Sequence, residues 1–138
     1  MRPGPRPCWS RCAALIAVTG VTHVLKNAAG RTRALEGLDD VNAVLAGSAP
    51  TGPVPVQMNG AIYLADLTGG QKTGIFYDQR PNHAFAASLS RGARVLDVFA
   101  HVGGFSLAAL AAGAQSALAV DGSAPALELA QGGAEAAG

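Results

Sequence analysis

The stretch VLDVFAHVGGFS, Val95–Ser106, decides the fold of this chain. Arg94–Phe99 is an apolar segment with one acid in it, which predicts a buried β-strand. The glycine pair in Ala100–Gly104 predicts a tight turn. The segment Phe105–Ala112, rich in Ala and Leu, predicts a helix that Gly113 ends. Together these segments predict a βα unit.

A second unit of the same kind follows the first. Ser116–Val120 predicts another buried strand, which ends at Asp121, and Ala124–Gln131 begins a further helix. Alternating strands and helices indicate a parallel sheet in an α/β protein. Because a doubly wound sheet needs more strands than two, we predict the first two βα units of a truncated Rossmann-like sheet.

The region before these units predicts a small β-rich, α+β segment over residues 19–75. Residues 1–18 are rich in Pro and Arg, and we expect them to be disordered or foreign to the fold. Val21–Lys26 predicts a short strand, and Ala34–Asp40 predicts a loop. Val41–Ala46 is compatible with either a strand or a short helix.

A hairpin and a helix are predicted nearer the βα units. The pair Asn59-Gly60 separates two apolar runs, Val56–Met58 and Ala61–Leu67, which is typical of a β-hairpin. Thr68–Gly74 is glycine-rich and predicts a loop. Residues 76–91 then connect this region to residues 92–138.

The connecting region contains Asp78–Leu89, which predicts a helix. We expect Asp78 at or near its N-cap and Pro81 in its first turn. Helical spacing places three apolar residues toward the core, Ala84, Phe85 and Leu89. His83 is expected on the helix surface, where it could join Lys72, Arg80, Arg91 and Arg94 in a basic face for RNA.

Composition limits the classes of protein to consider. The chain has 138 residues, 49% hydrophobic and 14% charged, which suits one modest globular unit. Its formal net charge of +1 is too small to establish a nucleic-acid partner. Cys8 and Cys12 are too few and too close for a disulfide framework, and no zinc-ligand spacing accompanies them. We therefore expect a cytoplasmic protein without a metal site or a membrane span.

The glycine turn is the first candidate for ligand binding. Gly103 and Gly104 let the backbone approach a ligand, and the helix behind them offers free N–H groups. Asp121, at the tip of the second strand, stands where a carboxylate can accept hydrogen bonds from a ribose. The alternative is structural: the glycines only make the turn, and Asp121 caps the next helix. The sequence HVGGFS lacks the G-x-G-x-x-G spacing of dinucleotide-binding enzymes.

Asp97 is the second candidate, because a carboxylate inside an apolar strand is costly without a hydrogen-bonding partner. Its structural role would be to cap the turn amides of residues 100–104, and this role is compatible with ligand binding.

Three blocks carry a resemblance to a known family. GQKTGIFYDQRPN (Gly70–Asn82), VLDVFAHVGGFS and AVDGSAPALELA (Ala119–Ala130) resemble a run in class I S-adenosylmethionine-dependent methyltransferases that modify C5 of cytosine in large-subunit ribosomal RNA, the RlmI-like family. The resemblance covers residues 20–138. It implies that 19–75 is part of a central domain and that 92–138 begins the methyltransferase domain.

The resemblance also implies which residues bind the cofactor, S-adenosyl-L-methionine. Phe76 to Arg80 match a segment that closes over its methionine part, and the motif around Asp97 matches the region at its amino-acid end. Asp121 matches the acid that binds the ribose. The implied cofactor-binding residues are Phe76, Tyr77, Asp78, Gln79, Arg80, Asp97, Phe99, Gly103, Gly104, Phe105, Ser106, Asp121, Ser123 and Ala124.

The chain also departs from the family pattern. Family members carry an RNA-binding PUA module, an Asp-Pro-Pro motif and a catalytic cysteine, and this sequence matches none of them. No residue is therefore assigned as catalytic, and we expect the isolated chain to be inactive. RNA is the implied partner, and a homodimer is left open. The alternatives are a non-catalytic remnant or RNA-binding module, and a small nucleotide-binding α/β protein. His101 is expected to be an exposed loop histidine.

Overall fold

The computed structural model describes residues 8–28, 35, 37, 41–69 and 74–138. Two compact units divide the chain, Met1–Thr51 and Gly52–Gly138. The second unit therefore joins the predicted hairpin to the two predicted βα units. The boundary lies before the hairpin, whereas the sequence pattern places it after residue 75.

The first unit contains helix α1 (Cys8–Thr19) and an antiparallel pair, β1 (Val24–Lys26) and β2 (Ala43–Ala46). The expectation of disorder is wrong from Cys8 to Val18, because the apolar run within α1 adopts a helix. Within Val41–Ala46, the last four residues form a strand, so the strand alternative is the correct one. The predicted loop Ala34–Asp40 falls largely outside the described residues.

The second unit begins with the predicted hairpin, β3 (Val54–Met58) and β4 (Ala61–Ala65). Asn59 and Gly60 join them with φ of 52° and 77°. Two positive φ angles are what a type I′ turn requires, and Asn-Gly supplies them at low cost. The hairpin prediction is confirmed. Of the predicted loop Thr68–Gly74, residues 70–73 lie outside the described part.

The two βα units are confirmed as well. Strands β5 (Arg94–Val98) and β6 (Ser116–Val120) pair in parallel, with Leu96 opposite Leu118. Helix α3 (Gly104–Ala111) follows β5, and helix α4 (Ala124–Ala137) follows β6. Because both strands run the same way, the loops at their carboxyl ends meet at one edge of the pair.

Helix α2 (Arg80–Ser88) precedes β5 and follows a 3₁₀ turn, Tyr77–Gln79. The N-cap is Gln79, so Asp78 lies one residue before the cap, near it as predicted, and the helix begins at Arg80 and not at Asp78. The predicted core face is also wrong: Ala84 is exposed, and Phe85 and Leu89 are 69% and 71% exposed. The buried residues are His83 and Ala87, because α2 packs against α3 through that narrower stripe.

The core of the second unit forms where the hairpin meets helices α3 and α4. Tyr63 is fully buried there, beside Met58, Ala61 and Leu107. Helix α4 approaches β4 closely, since a Cβ on Gly133 would lie 2.7 Å from the carbonyl oxygen of Ile62.

The β5–β6 pair has two unlike faces. Asp97 is buried on the face toward α3, and Leu96, Val98, Leu118 and Val120 are exposed on the other face, between 44% and 64%. The second strand therefore has an uncovered apolar face, although its sequence predicts a buried strand. Within the described part of the chain, every helix is too short or too polar to cross a bilayer.

Candidate functional site

A cleft of about 650 Å³ opens at the carboxyl ends of β5 and β6. Its size lies in the range of small-molecule sites, about 300–1,000 Å³. The hairpin, the segment before α2, the loop after β5 and the start of α4 all contribute to its lining. The polar and aromatic residues of that lining are Tyr63, Asp66, Phe76, Gln79, His83, Phe99, His101, Phe105, Asp121 and Ser123.

The loop after β5 has an unusual backbone. Phe99 and His101 both lie in the left-handed region, with φ of 63° and 50°. This conformation is uncommon for residues other than glycine and costs on the order of 1–3 kcal/mol at each position. The amide of Ala100 donates to the carbonyl of Val120 at 3.1 Å, and the ring of His101 lies 5.5 Å from that of Phe76. Thus His101 faces the cleft, whereas an exposed loop position is the sequence-based expectation.

Asp121 fastens this loop to the end of β6. Its Oδ2 accepts the amide of His101 at 2.8 Å, and its Oδ1 accepts the amide of Ser123 at 2.9 Å. The N–H of His101 and then that of Ser123 lower the pKa of the carboxyl group, so Asp121 is ionised at neutral pH. Each oxygen keeps lone-pair capacity for a ligand hydroxyl. The capping alternative is wrong, since Ser123 is the N-cap of α4.

Asp97 is buried beneath the cleft and organises the start of α3. Its Oδ2 accepts the amide of Ser106 at 2.9 Å and the hydroxyl of Ser106 at 2.7 Å. The expectation that it caps the amides of residues 100–104 is therefore wrong. The turn before residue 106 is closed instead by a backbone hydrogen bond, from the amide of Gly103 to the carbonyl of Ala100, so the carboxylate of Asp97 reaches Ser106.

The glycine pair has no room for larger residues. Gly103 has a φ of 79°, and a Cβ there would lie 3.0 Å from the Cβ of Ala130. A Cβ on Gly104 would lie 2.6 Å from both Cε1 and Nε2 of His83. The atoms that crowd these two positions belong to the protein itself, to Ala130, Leu107 and His83.

Two buried side chains surround Gly104. The hydroxyl of Tyr63 donates to its carbonyl at 3.1 Å, and burial raises the pKa of Tyr63 to about 12. The ring of His83 lies edge-on to that of Phe105 at 4.5 Å. Burial lowers the pKa of His83, against the opposing effect of Asp97 and Asp78. The expected surface position of His83 is wrong.

The implied cofactor residues divide into two groups. Those that line the cleft are Phe76, Gln79, Phe99, Gly104, Phe105, Asp121 and Ser123. Those outside its lining are Tyr77, Asp78, Arg80, Asp97, Gly103, Ser106 and Ala124. In the second group, Asp97, Gly103 and Ser106 are buried, whereas Tyr77, Asp78, Arg80 and Ala124 are exposed.

Sequence reasoning missed four polar residues of the lining, Tyr63, Asp66, His83 and His101. Asp66 closes a tight turn: its Oδ1 accepts the amides of Gly69 and Thr68 at 2.8 and 2.9 Å. These bonds lower its pKa, so the cleft has a second ionised carboxylate. The available signal was the position of Asp66 directly after a strand. In the described ranges, no three His, Cys, Asp or Glu side chains are grouped to hold a metal ion.

Comparison with known proteins identifies the family of this chain. The profile of a family described as S-adenosylmethionine-dependent methyltransferase matches residues 15–134. The chain belongs to this methyltransferase family. One relative, ribosomal RNA large subunit methyltransferase I of Aeromonas hydrophila, is 42% identical over 104 residues, 75% of this chain. The aligned segment is only 26% of that relative, so this methyltransferase chain spans about a quarter of its length.

Solved structures support the same assignment. A Streptococcus mutans protein assigned as a SAM-dependent methyltransferase matches with a TM-score of 0.71 and 28% identity, over 91% of this chain and 31% of that one. A second structure, assigned as a methyltransferase and complexed with SAH, matches with a TM-score of 0.61 and 32% identity. That match covers 70% of this chain and 26% of the other.

The residues of the cleft fit the cofactor of this family. S-adenosylmethionine combines an adenosine, a sulfonium cation and an amino acid. An ionised Asp121 suits ribose hydroxyls, and the rings of Phe76, Phe99 and Phe105 offer apolar and cation-binding surface. Asp66 adds negative charge for the cationic groups.

Proposed function

We propose that this chain binds S-adenosylmethionine in the cleft and forms part of an enzyme that methylates ribosomal RNA. The observation that carries the proposal is Asp121, an ionised carboxylate at the cleft with free acceptor capacity. Hydrogen bonds from the backbone amides of His101 and Ser123 hold its side chain in place before a ligand arrives, which reduces the entropic cost of binding. The relatives named for ribosomal RNA support the choice of substrate.

The chain's own residues would bind and orient the cofactor. Asp121 would accept the ribose hydroxyls, and the strained loop at Phe99 and His101 would present an aromatic side chain to the ligand. Phe76 and Gln79, the two residues of the 76–80 segment that line the cleft, would close the other side. The bound cofactor supplies a methyl group on a positively charged sulfur, which makes that methyl group electrophilic.

Methyl transfer itself would need groups beyond this cleft. Addition of a nucleophile at C6 is required to activate C5 of a pyrimidine, and a cysteine is the usual nucleophile. None of the described residues that line the cleft is a cysteine. We therefore propose that the 138-residue chain alone transfers no methyl group. Incubation with tritiated cofactor and unmodified large-subunit RNA tests this, and incorporation above a no-protein control would contradict it.

Calorimetric titration with S-adenosylhomocysteine and with NAD tests the binding proposal. We expect S-adenosylhomocysteine to bind in preference to NAD. Asp121→Ala should weaken that binding about tenfold or more, because hydrogen bonds to a charged group are lost. Asp121→Asn keeps one acceptor oxygen and should lose less.

The matched control is Glu128→Gln, which removes an exposed carboxylate on α4 outside the cleft lining. Unchanged affinity in Asp121→Ala, or tighter binding of NAD by the wild-type chain, would reject the proposal. A cytoplasmic location remains part of the same proposal. A homodimer stays open, and sedimentation of the purified chain tests it.

A further inference from the structure

His83 is a buried polar residue on the wall of the cleft. Its side chain is 6% exposed, on helix α2. Its Nδ1 is buried and has no hydrogen-bond partner among the described residues. Buried polar groups are nearly always paired, so an unpaired one calls for an explanation.

The surroundings of the ring determine which nitrogen carries the proton. A charged imidazole has N–H groups at both nitrogens, and its Nδ1–H would then be buried without an acceptor. Burial also disfavours the charge, against the opposing effect of Asp97 on β5 and Asp78 in the 3₁₀ turn. Orphaned N–H groups are rarer in proteins than orphaned acceptors. The proton of the neutral ring therefore belongs on Nε2.

The Nε2 edge lies at the start of helix α3. Cε1 and Nε2 lie over Gly104, each 2.6 Å from the place a Cβ would take, and Gly104 lines the cleft. Backbone N–H groups in the first turn of a helix lack intrahelical acceptors and favour negative charge, and Asp97 already accepts the one on Ser106. A side-chain N–H beside a helix N-terminus makes a site for an anionic acceptor.

The chemistry of the cofactor narrows the choice of acceptor. Its adenosine is neutral and its sulfonium and ammonium groups are positive, which leaves the carboxylate of the amino-acid end as the only anion. We propose that His83 is a ligand-binding residue of the cleft and that its Nε2–H donates a hydrogen bond to this carboxylate. The inference rests on the proposed cofactor binding and adds a residue that carries no assignment in the family motif described above.

Two ligands separate this role from a structural one. S-adenosylhomocysteine has the amino-acid end, whereas 5′-methylthioadenosine has the adenosine and sulfur without it. His83→Leu should weaken binding of the first roughly tenfold to hundredfold and leave binding of the second unchanged. Calorimetry of the full 138-residue chain measures both. Equal losses for the two ligands, or no loss for either, would overturn the inference.

Two amide variants test the tautomer, and they keep the test decisive if the leucine variant does not fold. The amide nitrogen of Gln reaches the position of Nε2, whereas that of Asn reaches the position of Nδ1. His83→Gln should keep the preference for S-adenosylhomocysteine, and His83→Asn should lose it. A result in which Asn retains binding and Gln does not would overturn the assignment.

Failure of the proposed function has a different signature. A wild-type chain that binds neither ligand would reject cofactor binding and this inference with it. A wild-type chain that binds both, together with a His83→Leu variant that does the same, would leave the proposed function standing and reject only the role of His83.

Discussion

The two faces of the β5–β6 pair differ in an unusual way: the larger apolar side chains lie on the exposed face, and most of the side chains on the covered face are small. The covered side comprises the face toward α3, α3 itself and the hairpin packed on it. On this side the strands contribute Val95, Ala117, Ala119 and a buried acid, Asp97. On the open face, Leu96 and Leu118 are 64% and 63% exposed. The large apolar side chains of the two strands on the open face therefore contribute little to stability. The covered side is held by the core around Tyr63, by close approach and by hydrogen bonds.

The strongest test of this contrast is Tyr63→Ala. Tyr63 is fully buried in the covered side, and its removal leaves a cavity between the hairpin and α3. We expect a loss of about 3–5 kcal/mol in the free energy of unfolding, measured by urea denaturation. Tyr63→Phe, the matched control, loses only the bond to Gly104 and should cost about 1 kcal/mol. Equal losses for both variants would show that the ring is not what holds this side together.

The same residue predicts a pH dependence. The pKa of Tyr63 is about 12 in the fold and 10.0 when the side chain is free. The folded state thus keeps its proton where the unfolded chain loses it. This contribution to stability is fully present below pH 10.0 and is lost as the pH rises through about 12. Urea denaturation of Tyr63→Phe across the same pH range should lack this loss, and an identical decline in both proteins would contradict the assignment.

Asp97→Ala removes the two buried hydrogen bonds between Asp97 and Ser106 on the covered side. It leaves the amide and the hydroxyl of Ser106 buried without their acceptor. A buried unsatisfied donor costs about 1–3 kcal/mol, so we expect a loss in that range or slightly above it by urea denaturation. Ser106→Ala removes only the hydroxyl and should cost less. A larger loss in Ser106→Ala than in Asp97→Ala would contradict the shared-acceptor arrangement.

The glycines of α4 test close approach directly. Gly133→Ala puts a Cβ 2.7 Å from a backbone oxygen of β4, and the hairpin must move. We expect a loss of about 1–3 kcal/mol, although Ala favours the helix. In Gly132→Ala the obstacle is the end of the Leu64 side chain, also at 2.7 Å, which can rotate away. That variant should be neutral or more stable. Thermal unfolding of the pair decides, and similar melting temperatures would contradict this packing.

The smallest effect is expected on the open face. Leu118→Thr replaces an exposed leucine with a β-branched polar residue, so the free energy of unfolding should change by no more than about 0.5 kcal/mol. Aggregation should become slower, because exposed apolar sheet faces promote association. Light scattering measures this, and Leu107→Thr, in the buried core, is the destabilising control. Strong destabilisation by Leu118→Thr would mean that the open face is covered in solution.

Local sequence patterns were sufficient for the hairpin and the βα units. Asn59-Gly60 dictates its turn through backbone sterics, and the alternation of β5, α3, β6 and α4 follows from short-range periodicity. Which face of helix α2 is buried could not be predicted in the same way. Periodicity favours burial of Phe85 and Leu89. The face that is buried instead contains His83, whose flat ring fits over Gly104 of helix α3. The identity of a partner surface is not contained in the spacing of one helix.

The candidate site was predictable to a similar extent. Asp121 and the glycine turn follow from their places at strand ends, where ligands bind in α/β sheets. His83 and Tyr63 reach the cleft only because α2 and the hairpin pack on α3, which is a long-range contact. For Asp97 the sequence indicates that the carboxylate needs a hydrogen-bonding partner. It does not indicate that the partner is Ser106, because that depends on the path of the turn.

The Asn59-Gly60 turn also bears on the order in which the parts of the second unit fold. It brings β3 and β4 together across a two-residue connection, and hairpins form within roughly 1–10 μs. The approach of Gly133 to Ile62 must instead close a long loop, which costs more entropy. We therefore expect the hairpin to form first and to serve as the surface on which α4 docks. Stopped-flow kinetics should show Asn59→Ala slowing folding and Gly133→Ala chiefly accelerating unfolding, and the reverse pattern would contradict this order.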